Sequence, residues 1–106
     1  MFDALEISLR MVASLREPLR ELQRKDPDLY RQVRRAAASV TLNLAEGRRR
    51  AGGDRVHLWR VAAGSADEVH SALRTAVALG DLREEDLAEC FELLDRVLAM
   101  TWKLTH

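Results

Sequence analysis

Residues 26–47 read DPDLYRQVRRAAASVTLNLAEG and contain both the start signal and the buried face of a helix. Asp26 can cap the helix, and Pro27 suits its first position because no amide donor is needed there. Apolar side chains then recur at spacings of three and four, as they do on one face of a helix. They are Leu29, Val33, Ala37, Val40 and Leu44. The pattern predicts a helix that ends near Gly47, with a chain break at Gly52-Gly53.

The same periodicity predicts three more helices, over about residues 3–24, 54–79 and 83–103. Pro18 lies inside the first and should kink or break it, since proline removes a donor and clashes with the preceding turn. Gly80 suits the end of the third helix. Short links between long helices favour antiparallel neighbours. The chain is therefore predicted to be one all-α domain over its whole length, an antiparallel up-down-up-down four-helix bundle.

Composition narrows the class of protein. The 106 residues include 17 Lys+Arg and 17 Asp+Glu, so the formal net charge is zero. A single cysteine, Cys90, excludes an intramolecular disulfide and a cysteine zinc site, and we expect it to be buried and unreactive. The N-terminus lacks a signal-peptide pattern, and no apolar run approaches the ~18 residues of a membrane span. These features predict a cytoplasmic protein with no membrane partner.

Polar side chains accompany the buried faces of the predicted second and third helices. Six of them lie on or beside the facing sides: Arg35, Ser39, Asn43, Glu46, Ser65 and Glu68. Because polar groups taken out of water need partners, these residues could form an interhelical polar network. These side chains could fix packing and register, or be only a solvated flank; they could also hold an active site or contact another subunit. Small residues on both helices favour packing.

Two segments resemble a known family. Residues 32–47, QVRRAAASVTLNLAEG, resemble the signature of the four-helix-bundle proteins encoded in 23S rRNA intervening sequences, roughly Q-[IV]-R-R-A-x-x-S-[IV]-x-x-N-[IL]-A-E-G. Residues 62–68, AAGSADE, are similar to that family's second element, A-x-G-S-x-x-E. Thr41 stands where the family often has proline. Order and spacing of both elements also match.

The resemblance implies a left-handed bundle that assembles as a homo-oligomer, typically a ring-like pentamer, with no established enzymatic activity. It also implies kinship to the accessory variability determinant of diversity-generating retroelements, a pentameric bundle that binds nucleic acid and a reverse transcriptase. RNA, DNA, a reverse transcriptase or another protein are thus candidate partners. Trp59, Leu42 and Trp102 are candidates for burial between subunits.

The zero net charge conceals an uneven distribution. Residues 31–60 hold eight arginines and two acids, a net +6, whereas residues 81–96 hold seven acids and two arginines, a net −5. Arginine suits bidentate contacts with phosphate. The residues predicted to bind nucleic acid are Arg48, Arg49, Arg50 and Arg55. Alternatively, the basic segment of one subunit meets the acidic fourth helix of another, or the basic loop is only solvated.

No pattern in the chain predicts an enzyme. A di-metal bundle needs repeated Glu-x-x-His on facing helices, and this chain has only Asp67-x-x-His70, once. Arg50 and His57 have the spacing found in some small helical RNases, but Gly52-Gly53 separate them. There is no nucleophile triad and no phosphate-binding glycine loop. We expect a non-enzymatic protein without metal or cofactor; the alternative to nucleic-acid binding is a purely structural or protein-interaction module.

Overall fold

The computed structural model describes residues 2–106, and that part of the chain is helical without any strand. It contains five α-helices: α1 Asp3–Ser14, α2 Arg16–Lys25, α3 Pro27–Arg48, α4 Gly52–Ala78 and α5 Ala88–Thr105. A short 3-10 helix, Glu84–Leu87, precedes α5, so the start predicted near residue 83 belongs to this turn. The prediction of an all-α chain is confirmed.

Helices α1 and α2 together occupy the predicted first helix, which is broken at Leu15. Pro18 is the third residue of α2, where its ring would crowd the carbonyl of Ser14 and it has no amide to donate. The chain adjusts one turn earlier, because the Leu15 amide donates to the Val12 carbonyl at 3.0 Å. The helix then resumes as the Leu19 amide donates to the Leu15 carbonyl at 2.8 Å. The predicted break is confirmed and lies on the N-terminal side of the proline.

The start of α3 has the predicted cap. Asp26 precedes the helix, and its Oδ1 accepts a hydrogen bond from the Leu29 amide at 3.0 Å. Pro27 is the first helical residue. One of the amides that lack a helical partner at this end is therefore satisfied by the side chain.

We expect Asp26→Ala to lower the free energy of unfolding by about 1 kcal/mol, because the Leu29 amide loses its acceptor. Urea denaturation followed by far-UV circular dichroism measures the change. Asp28→Ala is the matched control. Asp28 is exposed, and its one ion pair within the described residues is with Arg31 on the same helix, so this variant should lose about 0.5 kcal/mol or less. Equal losses in the two variants would contradict the capping role of Asp26.

The link between α3 and α4 is shorter than predicted. Helix α4 begins at Gly52 rather than at Asp54, so Gly52-Gly53 form its first turn instead of breaking the chain. Gly52 has a φ of 59°, a left-handed conformation that side-chain-bearing residues rarely adopt. Glycine therefore allows the chain to reverse within three residues, 49–51, and the predicted boundary was wrong by two positions.

The end of α4 is closed by Gly80, whose φ is 83°. Its amide donates to the Val77 carbonyl at 3.0 Å, and the Asp81 amide donates to the Ala76 carbonyl at 2.9 Å. These two bonds form a Schellman motif, and the buried Leu82 follows it. The prediction that Gly80 terminates this helix is confirmed.

The helices lie side by side in a body of 42 × 22 × 20 Å. Helix α3 packs along α4, α4 packs on α5, α5 packs on α1, and α3 also contacts α1 and α2. Lys25, at the end of α2, donates to the Asp81 carbonyl at 3.2 Å, and Arg60, early in α4, donates to the Thr105 carbonyl at 3.1 Å. The starts of α3 and α5 are therefore at the same end of the molecule, and the two helices run in the same direction.

The core lies between these helices. Its largest fully buried side chains include Met11, Leu22, Leu44, Leu73 and Leu94. Cys90 is buried among them, and burial raises the pKa of its thiol to about 11, so the expectation of a buried cysteine is confirmed. Between residues 2 and 106 no helix has the length and apolar character that a membrane crossing requires.

Candidate nucleic-acid interface

The α3–α4 link displays the arginines predicted to contact nucleic acid, and the structure gives them different surroundings. Arg48 and Arg49 are exposed, and neither forms an ion pair within residues 2–106. They lie at the end of α3, where the partial negative charge of the helix terminus favours cations. These two guanidinium groups are available to an external anion.

Arg50 is paired within its own chain. Its Nη2 and Nε donate to Oε1 of Glu46 at 2.8 and 3.1 Å, one helical turn earlier. The hydrogen bond and the charge of Glu46 raise the pKa of Arg50 above its usual value. Both side chains are about half exposed, so solvent screens the pair. Glu46 nevertheless cancels one positive charge at the link.

Arg55 joins α4 to the end of α3. Its Nε donates to the Gly47 carbonyl at 3.2 Å, and its Nη2 donates to the Arg48 carbonyl at 3.1 Å. The Gly47 carbonyl also accepts a hydrogen bond from the Arg50 amide at 3.0 Å. The Arg48 carbonyl belongs to the last turn of α3, where carbonyls lack a helical partner, so the Arg55 guanidinium satisfies it. This guanidinium also lies 5.4 Å from the centre of the Trp59 ring, within cation–π range. Arg55 therefore stabilises the conformation of the α3–α4 link.

Trp59 anchors the same region from inside. Its side chain is only 8% exposed, its Nε1 donates to the Leu44 carbonyl at 3.2 Å, and its ring lies 5.2 Å from that of Phe2. The prediction that Trp59 is buried between subunits is wrong, because the indole fills the core of its own chain. Leu42 and Trp102, the other two candidates, are exposed.

Gly47 makes room for this indole, a role that the sequence reading missed. A Cβ at position 47 would lie 2.6 Å from Cδ1 and 2.6 Å from Nε1 of Trp59, far inside van der Waals contact. Gly47 is also helical, since α3 continues to Arg48. A glycine inside a helix is a sequence signal for such a close approach, but the pattern around Gly47 predicts the end of the helix instead.

The structure brings together three of the six predicted network residues. Ser39 Oγ and Ser65 Oγ are 2.8 Å apart across α3 and α4, and Nδ2 of Asn43 donates to Ser39 Oγ at 3.0 Å and to the Ser39 carbonyl at 2.9 Å. Glu46 turns to Arg50 instead. The remaining two, Arg35 and Glu68, are exposed. The cluster therefore contains no titratable group, which favours the packing alternative over an active site.

Across residues 2–106 no three His, Cys, Asp or Glu side chains are grouped so that they could hold a metal ion. His57 and Asp67 are exposed, while the ring of His70 packs 5.1 Å from that of Phe91. The exposed arginines of the α3–α4 link, Arg48 and Arg49, are therefore the candidate functional residues.

Comparisons with known proteins find one family model and a solved structure that match this chain. Residues 3–103 match the model of a family described as 23S rRNA-intervening sequence protein. A solved structure, that of a protein with unknown function from the S23 ribosomal protein family of Bacteroides thetaiotaomicron, superposes with a TM-score of 0.85 at 13% identity. The match covers 96% of this chain and 97% of that chain, and at this identity it shows a shared fold. No curated protein matches the sequence.

Proposed function

Because the chain belongs to the 23S rRNA-intervening sequence protein family, we propose that it is a non-enzymatic protein that associates with nucleic acid as a homo-oligomer. Its subunit is a four-helix bundle in which α1 and α2 form one bent helix. The cyclic packing of α1, α3, α4 and α5 supports that architecture. The assembly is a ring-like homopentamer, as the family resemblance implies.

The observation that carries the nucleic-acid proposal is the exposure of Arg48 and Arg49, whose guanidinium groups form no ion pair with any described residue. Arginine donates two parallel hydrogen bonds to a phosphate, and the neutralised backbone releases counterions. In a ring with parallel bundle axes, every α3–α4 link lies on the same rim. Five copies would then present these two arginines five times to one nucleic-acid strand.

The test is fluorescence anisotropy of a labelled single-stranded RNA at several salt concentrations. We expect Arg48→Ala/Arg49→Ala to weaken binding by at least about 25-fold at 0.1 M salt, the contribution of two single-strand phosphate contacts. The slope of log K against log salt should fall by about 1.4 for each subunit that contacts the strand, because every copy of the ring loses both arginines. Arg10→Ala/Arg74→Ala, which removes two exposed arginines from other helices, is the matched control and should change the slope little.

A purely structural or protein-interaction module is the second candidate. The exposed apolar side chains of Leu42, Leu79 and Trp102 favour it, because such groups are typical of contact surfaces. A reverse transcriptase or another protein would then be the partner. Light scattering that gives a multiple of the 12.0 kDa chain, without any RNA binding, would support this candidate and overturn the nucleic-acid proposal.

A further inference from the structure

Unpaired charges of opposite sign are separated onto two helices. Arg34 and Arg35 on α3 are exposed and form no ion pair in the part of the chain that the structure describes, and the same holds for Glu92 and Asp95 on α5. Helices α3 and α5 are separated by α4 on one side of the bundle and by α1 on the other. The two pairs therefore cannot meet within one subunit and are open to contact from outside.

Each helix also carries a large exposed apolar residue at a fixed distance from these charges. Leu42 follows Arg35 by seven residues and is 66% exposed. Trp102 follows Asp95 by seven residues and is 62% exposed. At about 1.5 Å per residue, each interval measures about 10 Å along its helix. On both α3 and α5, a charged residue and an exposed apolar residue are therefore separated by the same distance, and the charges on the two helices are opposite.

The direction of the helices lets both features meet at once. Since α3 and α5 run in the same direction, copies standing side by side with parallel axes place the α3 of one along the α5 of the next. Arg35 then faces Asp95 in the same register in which Leu42 faces Trp102. The small side chain of Ala38, between Arg35 and Leu42, permits the two helices to approach closely.

We propose that these surfaces form the contact between neighbouring copies of this chain. The α3 surface comprises Arg34, Arg35, Ala38 and Leu42, and the α5 surface comprises Glu92, Asp95, Ala99 and Trp102. The inference rests on the homo-oligomer proposed above and identifies the contact that builds it. Because the two surfaces differ, the contact is head-to-tail, and it closes into a ring when the rotation between copies permits.

Charge reversal tests the pairing. Light scattering over a dilution series measures the association of the wild type, of Arg34→Glu/Arg35→Glu and of Glu92→Arg/Asp95→Arg. We expect each double variant to associate at least tenfold more weakly, because like charges then face each other. The chain that combines all four changes should associate within about threefold of the wild type, because opposite charges face each other again.

A second comparison tests the apolar contact. Leu42→Lys should weaken association at least tenfold, whereas Leu79→Lys should leave it unchanged. Leu79 is the matched control because it is 63% exposed but lies outside both surfaces, at the end of α4. Far-UV circular dichroism should show that both variants keep their helices, since neither side chain is part of the core.

The outcomes separate this inference from the proposed function. A wild-type oligomer whose mass no variant changes overturns the α3–α5 contact and leaves the oligomer intact. A monomeric wild type overturns both. If Arg34→Glu/Arg35→Glu abolishes RNA binding but not association, the α3 surface is a nucleic-acid surface and the contact is overturned. Rescue of association in the four-change chain supports the contact.

Discussion

Replacing Trp59 by alanine is expected to lower the free energy of unfolding by about 3–5 kcal/mol, the range for removing a large aromatic side chain from a core. The indole is almost fully buried, packs near Phe2 and donates its Nε1 hydrogen bond to the Leu44 carbonyl. Alanine leaves a cavity between α3 and α4 and removes that bond. Arg55 also loses the ring beside its guanidinium group. The shape of the α3–α4 link therefore depends on this side chain.

The matched control is the same change at the other tryptophan. Trp102 is exposed, and among residues 2–106 its ring stacks on that of His106 alone, so Trp102→Ala should shift the free energy of unfolding by about 0.5 kcal/mol or less. Guanidinium denaturation followed by far-UV circular dichroism, at a protein concentration that keeps the chain monomeric, measures both. If Trp59→Ala does not fold, Trp59→Phe keeps most of the packing and should lose about 1–2 kcal/mol. Equal effects at positions 59 and 102 would contradict the placement of Trp59 in the core.

Alanine at position 47 is expected to destabilise the protein, although alanine usually stabilises a helix relative to glycine. The added Cβ would lie 2.6 Å from the rigid ring of Trp59, and such overpacking costs about 1–3 kcal/mol. The gain in helix propensity offsets less than about 1 kcal/mol of this, since Gly47 is next to the end of α3. We expect a net loss of about 1–2 kcal/mol in urea denaturation.

Gly64→Ala is the matched control, because the same substitution is expected to raise the free energy of unfolding there instead of lowering it. Gly64 lies inside α4, and apart from the adjacent backbone of that helix a Cβ there meets no atom of residues 2–106 within 4 Å, so alanine should stabilise by about 0.5–1 kcal/mol. A double-mutant cycle completes the test: in the Trp59→Ala background, the penalty of Gly47→Ala should disappear. A penalty that persists without the indole would show that the close contact is not its cause.

Local chemistry made most helix boundaries predictable. The Asp26 cap, the Pro27 start and the Gly80 end depend on backbone groups within one turn of each residue, so short sequence patterns identify them. The break near Pro18 is also local, because the clash involves only the preceding turn. The predicted start of α4 was wrong because glycine can adopt a positive φ at the beginning of a helix as well as in a chain break.

The candidate site was less predictable, since its side chains choose between partners on different elements. The sequence placed four arginines at one link, but only the packing of α4 on α3 directs Arg55 to the carbonyls of Gly47 and Arg48. Helical spacing predicts that Glu46 lies on the same side of α3 as Ser39 and Asn43, yet its flexible side chain pairs with Arg50 one turn away. Spacing defines a face and does not select among neighbours within reach.

The sequence by itself determined an all-α chain, most of its helix ends, its buried cysteine and its separation of charge, because periodicity, capping and composition are properties of neighbouring residues. Only the tertiary structure decided that Trp59 is a core residue, that Gly47 accommodates it and that Arg48 and Arg49 have no ion-pair partner among residues 2–106. Those outcomes depend on distances between side chains on different helices. Burial and pairing are settled when the helices pack, and no local pattern encodes that step.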